Sequence, residues 1–579
     1  MPDANRPSPT ERVAGGLPLL VAVSGGAALS YESLWMRSFG LIFGNTTDAV
    51  AMVLAVFMGG LALGSAVAAR RPSTDPLRAY GLVELAIGGA ALLTLPLLRA
   101  LPWAYGILVA RAGLEGVVEM AGRVGLAAVV LLPTTVMLGM TVPLAVEVLA
   151  RVGRPVRASF GRLYLLNTLG GAAGVALGPF LLVPLLGVRG TLVAAAVGSL
   201  LAGGLALHWR RASGALATSA VSEARVETAA TPTVSPSSRE LAHPGRLVAG
   251  LAVASGAATF GIEILWTRSY ALVIGSSVYA FNLMLLAVLL GIAGGAALYG
   301  RVRARITRPG RTVGLLFATA AAAVLVGQWL IGVQPVVYLA ALDMLPVSFV
   351  AHQLAGLILC LGTMLPVTLL LGLTFPLLMH LADAGRRSAQ EASGRLYAWN
   401  TAGAIAGALA ADLVLVPRLG LQPPYLVFAA LLLGGGAWAL AESVAWRPVA
   451  KGLVPAGLVV ALFVAAPWWR PWDPVLMSSG VHRYGLEWRD RLDSALDLGD
   501  WLREQRQLVF YREGSEAVVA VSETTGGRRF LSVNGKTDAG SGPQDVLTQK
   551  FIAHVPMLLH ASPRRVLVIG WGSGATASS

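Results

Sequence analysis

Stretches of about twenty consecutive apolar residues, the length needed to cross the hydrocarbon of a bilayer, recur along most of this chain. Ala49 to Ala69, Leu247 to Ile264 and Leu426 to Leu440 with its flanks are examples. Inside hydrocarbon every backbone N–H and C=O must find its partner within the protein, which confines spanning segments to helices or closed barrels. Composition agrees: 55% of the 579 residues are hydrophobic and only 13% charged, far from the balance of a soluble protein of this size. The first run is not a removable leader, because Gly15 to Trp35 lacks a small-residue cleavage site and belongs to a pattern that returns later.

That pattern is a tandem repeat. At an offset of 231 residues, Ser24-Gly25, Glu32, Leu34-Trp35, Arg37-Ser38, Leu41 and Gly44 return as Ser255-Gly256, Glu263, Leu265-Trp266, Arg268-Ser269, Leu272 and Gly275. At an offset of 233, Gly139, Thr141, Pro143-Leu144, Gly161-Arg162-Leu163-Tyr164, Asn167-Thr168 and Gly170 return as Gly372, Thr374, Pro376-Leu377, Gly394-Arg395-Leu396-Tyr397, Asn400-Thr401 and Gly403. Hydropathy gives six spans in the first copy, near 14–36, 47–69, 79–101, 124–150, 160–184 and 188–209, and six in the second, near 247–268, 277–300, 312–334, 349–381, 393–416 and 424–444. An even number of spans per copy makes both copies enter the membrane in the same direction, as in the parallel repeats of major-facilitator transporters. The predicted fold is therefore an all-α polytopic membrane bundle of two six-helix repeats, residues 14–210 and 247–444, joined by a Ser/Thr/Ala/Pro/Glu-rich linker at 211–246 that reads as disordered.

The formal charge of +14 does not point to nucleic acid, because the arginines are dispersed over short loops between apolar runs. Arg70, Arg71 and Arg78; Arg151, Arg154 and Arg157; Arg210 and Arg211; Arg301, Arg303, Arg305, Arg308 and Arg311; and Arg386 and Arg387 place those loops and the N-terminal tail, 1–13, in the cytoplasm by the positive-inside rule. The alternate loops hold Arg37, Arg189, Arg268 and Arg418 nearly alone. A further apolar stretch at 450–470, ending in Trp468-Trp469-Arg470, reads as a thirteenth helix, and a spanning thirteenth helix puts everything after it outside the cytoplasm. The single cysteine, Cys360, lies within an apolar run; a small buried residue is its simplest reading, and no metal site is expected.

Polar residues inside the runs are the candidates for chemistry, since ionisable groups in the membrane cost several kcal/mol unless they face a cavity or a partner. Glu32 and Glu263 occupy equivalent places near the ends of the first span of each repeat, with Arg37 and Arg268 five residues on. They read either as a substrate or proton site, or as an interfacial cluster that fixes helix ends beside anchoring Trp35 and Trp266. Asn167 and Asn400 follow a tyrosine by about one turn in glycine-rich spans, and read either as ligand-binding groups or as helix-to-helix hydrogen-bonding groups. The segments from Gly170 to Gly174 and from Gly403 to Gly407 are packing seams, not phosphate loops.

After Pro471 the sequence becomes mixed and charged: a connector at 471–507, then a domain at 508–579. Ala517 to Val521 and Arg529 to Val533 predict strands joined by Thr525-Gly526-Gly527, Asp545 to Leu559 a helix, and Arg565 to Ile569 a buried strand running into Gly570-Trp571-Gly572-Ser573-Gly574. A strand opening into G-x-G-x-G is the start of a Rossmann-type unit, with Gly570, Gly572, Ser573 and Gly574 as nucleoside-binding candidates.

The order of Val533-Asn534-Gly535, Asp545, Gln549, His554, Pro556 and Val566 to Gly570 resembles the opening of the spermidine synthase domain. With the repeated Glu-x-x-Trp-x-Arg segments, the chain resembles the bacterial family that fuses a major-facilitator-like membrane region to such a domain. The resemblance implies a bacterial inner-membrane location, S-adenosylmethionine or its decarboxylated form as a loosely held co-substrate, a polyamine-like small molecule as substrate, and aminopropyl transfer as ancestral chemistry. Ala517, Leu547, Thr548 and Ser573 stand where those enzymes carry a nucleoside-binding glutamine, a tyrosine, a polyamine-binding histidine and the aspartate of the glycine loop. No catalytic residue is assigned, and the domain is expected to be a truncated, inactive piece. Three functions follow: a membrane-anchored transferase-like protein, a major-facilitator-type transporter of a small cationic or polyamine-related solute, and a non-catalytic scaffold.

Overall fold

The computed structural model describes residues 8–44, 47–112, 117–212, 244–382, 388–443, 448–465, 470–514 and 516–579. Most of the linker, the pair Arg386 and Arg387, and the tryptophan pair Trp468-Trp469 lie outside the described residues.

The first repeat forms α1 (Pro9–Phe43), α2 (Thr47–Arg70), α3 (Pro76–Ala112), α4 (Val117–Arg151), α5 (Val156–Leu177) and α6 (Val183–Ala212). The second forms α7 (Pro244–Val273), α8 (Val278–Val302), α9 (Pro309–Met344), α10 (Phe349–Ala382), α11 (Ala389–Leu409) and α12 (Pro424–Ser443), with α13 (Pro448–Ala465) packed along α12. Among the described residues eleven helical segments are long and apolar enough to cross a membrane, and one of them, Val156–Ala212, is long enough to cross twice. It reverses at Gly187, whose φ of 70° breaks the helix; Gly420, with φ 81°, makes the same turn 233 positions later. A positive φ of this kind is the conformation glycine adopts without penalty.

Structural symmetry follows the sequence repeat. In the first half α1 packs on α5, α2 on α4 and α3 on α6; in the second, α7 on α11, α8 on α10 and α9 on α12. Each half also carries a π-helical turn at the same place, Gly178–Leu182 after α5 and Ala410–Leu415 after α11. Close approach explains the repeated glycines: the carbonyl oxygens of Asn167 and Asn400 leave no room for a Cβ at Gly25 and Gly256. Gly170, Gly174, Gly403 and Gly407 press in the same way on Ala22, Gly26, Val253 and Ala257, so the expected packing seams are present. The halves meet through α2 on α11 and α5 on α8.

At one end of the bundle lie the arginine-bearing turns around 71–75, 152–155 and 303–308. At the other, the chain turns at Gly44, Gly187, Gly275 and Gly420. The tail docks on this second end, and on the second half. It contains three short helices, α14 (Pro474–Met477), α15 (Val481–Trp488) and α16 (Leu498–Gln505), then an antiparallel sheet in the order β1 (Arg506–Glu513), β2 (Val518–Thr524), β3 (Arg529–Val533), β4 (Lys536–Gly540), and α17 (Pro543–Leu559). β3 and α17 agree with expectation, the predicted strand at 517–521 is β2 slightly displaced, and β1 and β4 were not anticipated.

The expected strand at Arg565 to Ile569 is not formed. The segment is irregular and open to solvent, with Ile569 91% exposed. A Rossmann strand is held by hydrogen bonds to parallel neighbours, and no described strand pairs with this one.

Docking uses specific hydrogen bonds. Trp472 Nε1 donates to the Gln328 carbonyl oxygen at 2.8 Å, the Trp472 backbone N–H to Gln422 Oε1 at 2.9 Å, and Gln422 Nε2 to Gln328 Oε1 at 2.9 Å. The Leu421 N–H donates to Glu513 Oε2 at 2.6 Å. His482 is wedged against Gly275 at the end of α7, and burial there holds its imidazole below its usual range.

Candidate functional site between the two halves

Glu32 lies about two-thirds of the way along α1, and Glu263 at the matching place in α7. Glu32 is buried, Glu263 half-buried, and the two carboxylates lie within electrostatic reach of each other across the seam between the halves. Beside them Ser33 Oγ donates to Asn282 Oδ1 of α8 at 3.1 Å, a further polar contact from half to half. Two equivalent acids within electrostatic reach of each other make a negative field in low dielectric, where charge–charge terms are larger than in water.

The arginines five residues on are not equivalent. Arg37 is exposed, whereas Arg268 is buried, donates to Asp412 Oδ1 at 3.3 Å in the π-helical turn after α11, and donates to the Gly514 carbonyl oxygen of the tail at 2.6 Å. The reading of Trp35 and Trp266 as interfacial anchors is overturned: they are 0% and 3% exposed. Trp35 stacks on Tyr31 and donates Nε1 to Thr94 Oγ1 at 3.2 Å, which places it in the core of its half.

Toward the arginine-bearing end, the seam is closed by rings. The repeated tyrosines Tyr164 and Tyr397 come together with Phe160 and Phe375, with centroid separations from 5.0 to 6.4 Å. Beyond them, buried Gln390 at the start of α11 fastens onto the first half. Its Nε2 donates to the Ala68 carbonyl oxygen at 2.8 Å and that of Arg71 at 3.2 Å, its Oε1 accepts from the Ser73 N–H at 3.2 Å, and its own N–H donates to Glu147 Oε2 at 3.1 Å. The repeated Gly394 and Gly161 sit here, against the Ser65 carbonyl and the Tyr299 ring.

Asn167 and Asn400 lie on the seams inside each half, their carbonyl oxygens against Gly25 and Gly256. Three buried acids were missed by sequence reasoning: Asp412, Glu147, and Glu84 of α3, which is fully buried near Ser24 and Tyr80. Its counterpart at the 233 offset is Phe317, so a search confined to repeated residues passes it over.

In the tail, Gly570, Gly572 and Gly574 have φ of 90°, 55° and 80°, the backbone that glycine favours. The loop rests on α17: Ser573 Oγ donates to Gln549 Oε1 and Thr576 Oγ1 to the Gln549 carbonyl oxygen at 3.2 Å. Thr548 is spent on a bond to its own helix, Oγ1 to the Gln544 carbonyl oxygen at 2.9 Å.

No family model matches the chain. A polyamine aminopropyltransferase of Aeropyrum pernix is 32% identical over 75 residues, 13% of this chain and 24% of that enzyme; the chain thus spans about a quarter of that relative's length. Among solved structures, the xylose transporter XylE from E. coli in a partially occluded inward-open conformation covers 74% of this chain and 96% of its own, with TM-score 0.46 and 14% identity. XylE, described there as a major-facilitator proton:xylose symporter and bound to 6-bromo-6-deoxy-D-glucose, gives 0.44 and 15% over 74% and 95% of the two chains.

Proposed function

We propose that this protein is a transporter of major-facilitator type that passes a small organic cation along the seam between its two halves, with Glu32 and Glu263 as the cation-binding pair. The observation that carries this reading is that two repeat-equivalent carboxylates occupy matching places in α1 and α7 inside a membrane bundle, one buried and one half-buried. A ring-and-glutamine barrier toward one end supports it, because transport by alternating access needs a barrier on each side of the site in turn. Two acids suit a dication of the polyamine class, whose ammonium groups pair with carboxylates. The 75-residue likeness to a polyamine aminopropyltransferase favours the same class. In this reading the arginine-bearing loops and the N-terminus face the cytoplasm of a bacterial inner membrane.

The test is flux of labelled putrescine in proteoliposomes holding the full chain, with Glu32→Gln and Glu263→Gln. Each substitution is expected to lower flux more than about tenfold while the protein keeps its detergent-solubilised melting temperature. Undiminished flux in both variants, or no flux of any di- or polyamine in the parent, refutes the reading.

A further inference from the structure

The tail contains a cleft of about 450 Å³ between α15, α16 and the β2–β3 hairpin, lined by Trp488, Trp501, Phe530 and three arginines, Arg491, Arg506 and Arg528. No carboxylate lines it, and no residue of the glycine loop takes part. Other arginines nearby are neutralised: Arg489 pairs with Asp490 at 3.4 Å, Arg503 with Asp500 at 3.0 Å, and Arg529 with Glu523 at 2.6 Å. Among the described residues the three cleft arginines have no acidic partner.

Arg506 states the problem most sharply. Its guanidinium is half-buried over the Phe530 ring, 5.4 Å from the centroid, and its one side-chain hydrogen bond among the described residues is a 3.4 Å bond from Nη2 to the Ser479 carbonyl oxygen. Burial lowers its pKa to about 10. A guanidinium taken from water without an anion is costly, and a ring beneath it offsets only part of that cost. The group is a preformed half of an ion pair. Guanidiniums recognise phosphate through paired N–H donors, and three of them with no acid exceed what a single carboxylate needs. Trp488 and Trp501, 5.7 Å apart, give the remaining wall an apolar, ring-accepting character.

We propose that this cleft binds a phosphoryl group, carried on a soluble phosphate ester or on an anionic lipid headgroup, with Arg491, Arg506 and Arg528 as its cations and Phe530, Trp488 and Trp501 as its walls. Both sources share the chemistry, and the cleft is near enough to the bundle for either: Arg489, beside Trp488, donates Nη1 to the Leu342 carbonyl oxygen of α9 at 3.5 Å. This proposal is independent of the transport reading, since it uses no residue of the seam.

The full chain in uncharged detergent is titrated with inorganic phosphate, with AMP, and with phosphatidylcholine micelles doped with phosphatidylglycerol, following tryptophan fluorescence and heat. At least one probe is expected to bind, with affinity falling as salt rises and dropping about tenfold or more in Arg528→Glu and in Arg491→Glu. Both side chains are exposed, so neither change threatens folding. Binding of AMP or phosphate alone identifies a soluble ester, and binding of the doped micelles alone a headgroup. The proposal is overturned if no probe binds at millimolar concentration, if both charge reversals leave affinity unchanged, or if Lys550→Glu on exposed α17 weakens binding as much as they do.

Discussion

Arg268 and Asp412 form an ion pair of 3.3 Å that is almost wholly shielded from water, their side chains 8% and 1% exposed. It links the end of α7 to the π-helical turn after α11, and the same guanidinium reaches out to the Gly514 carbonyl of the tail. π-turns inside helices recur at functional places because they open the backbone ladder locally; this one is where the membrane bundle and the tail share a charge.

Removing one partner of such a pair costs far more than replacing both. Arg268→Ala is expected to destabilise the chain by about 3 kcal/mol, and Arg268→Ala with Asp412→Leu by much less. Thermal unfolding in detergent checks this, and equal losses in the single and double variants would mean the pair is not what holds this corner.

The tail and the arginine-bearing loops occupy opposite ends of the bundle. Cysteines at exposed Thr307 and Ser562 are therefore expected to react with a membrane-impermeant maleimide from opposite sides, Thr307→Cys from the cytoplasm. Native Cys360 is buried and contributes no background. Labelling of both from one side contradicts the arrangement.

Gln390 holds the two halves together at the ring-closed end. Gln390→Ala removes its three side-chain bonds to α2 and the following turn while leaving its backbone bond to Glu147. Each bond contributes about 1 kcal/mol, so the opening equilibrium at this end shifts by an order of magnitude or more. Alkylation of Ser159→Cys, buried beside Phe160, is expected to speed up correspondingly in the Gln390→Ala background. An unchanged rate shows that the latch does not control this end.

His482 gives the docked tail a pH dependence. Its pKa falls below the ordinary 6.5 on burial, with Arg483 acting in the same sense. The unfolded or undocked chain then binds the proton more readily, so the contribution of this contact is complete above pH 6.5 and is lost as pH falls through the lowered pKa. Protease sensitivity of the tail is expected to rise on acidification below pH 6.5 and to lose that dependence in His482→Phe. A pH-independent wild type would sink this account.

What could be read from the residues was what repeats. Glycines at Gly25, Gly161, Gly256 and Gly394 recur because helix backbones or rings touch them, and that constraint leaves the same letters at the same spacing in both halves. The pairing of Glu32 with Glu263 was visible as a coincidence of position, though not as a meeting across the seam. Glu84 and Asp412 escaped because each breaks the symmetry; β4 escaped because a five-residue edge strand carries little alternation, and β1 because a bulge between Leu508 and Phe510 interrupts its alternation. Asn167 and Asn400 meet Gly25 and Gly256 through their carbonyl oxygens, a contact that side-chain chemistry does not announce. Trp35 and Trp266 misled, since a tryptophan next to a charged residue near a helix end looks the same whether it faces lipid or the core.

The tail is moored by Trp472, Gln328, Gln422, Leu421 and Arg268 to the second half. If the halves rock against each other, the sheet travels as luggage of the second half. Whatever occupies the sheet then tugs on a single lever, and by linkage its occupancy and the tilt of that lever each set the odds of the other.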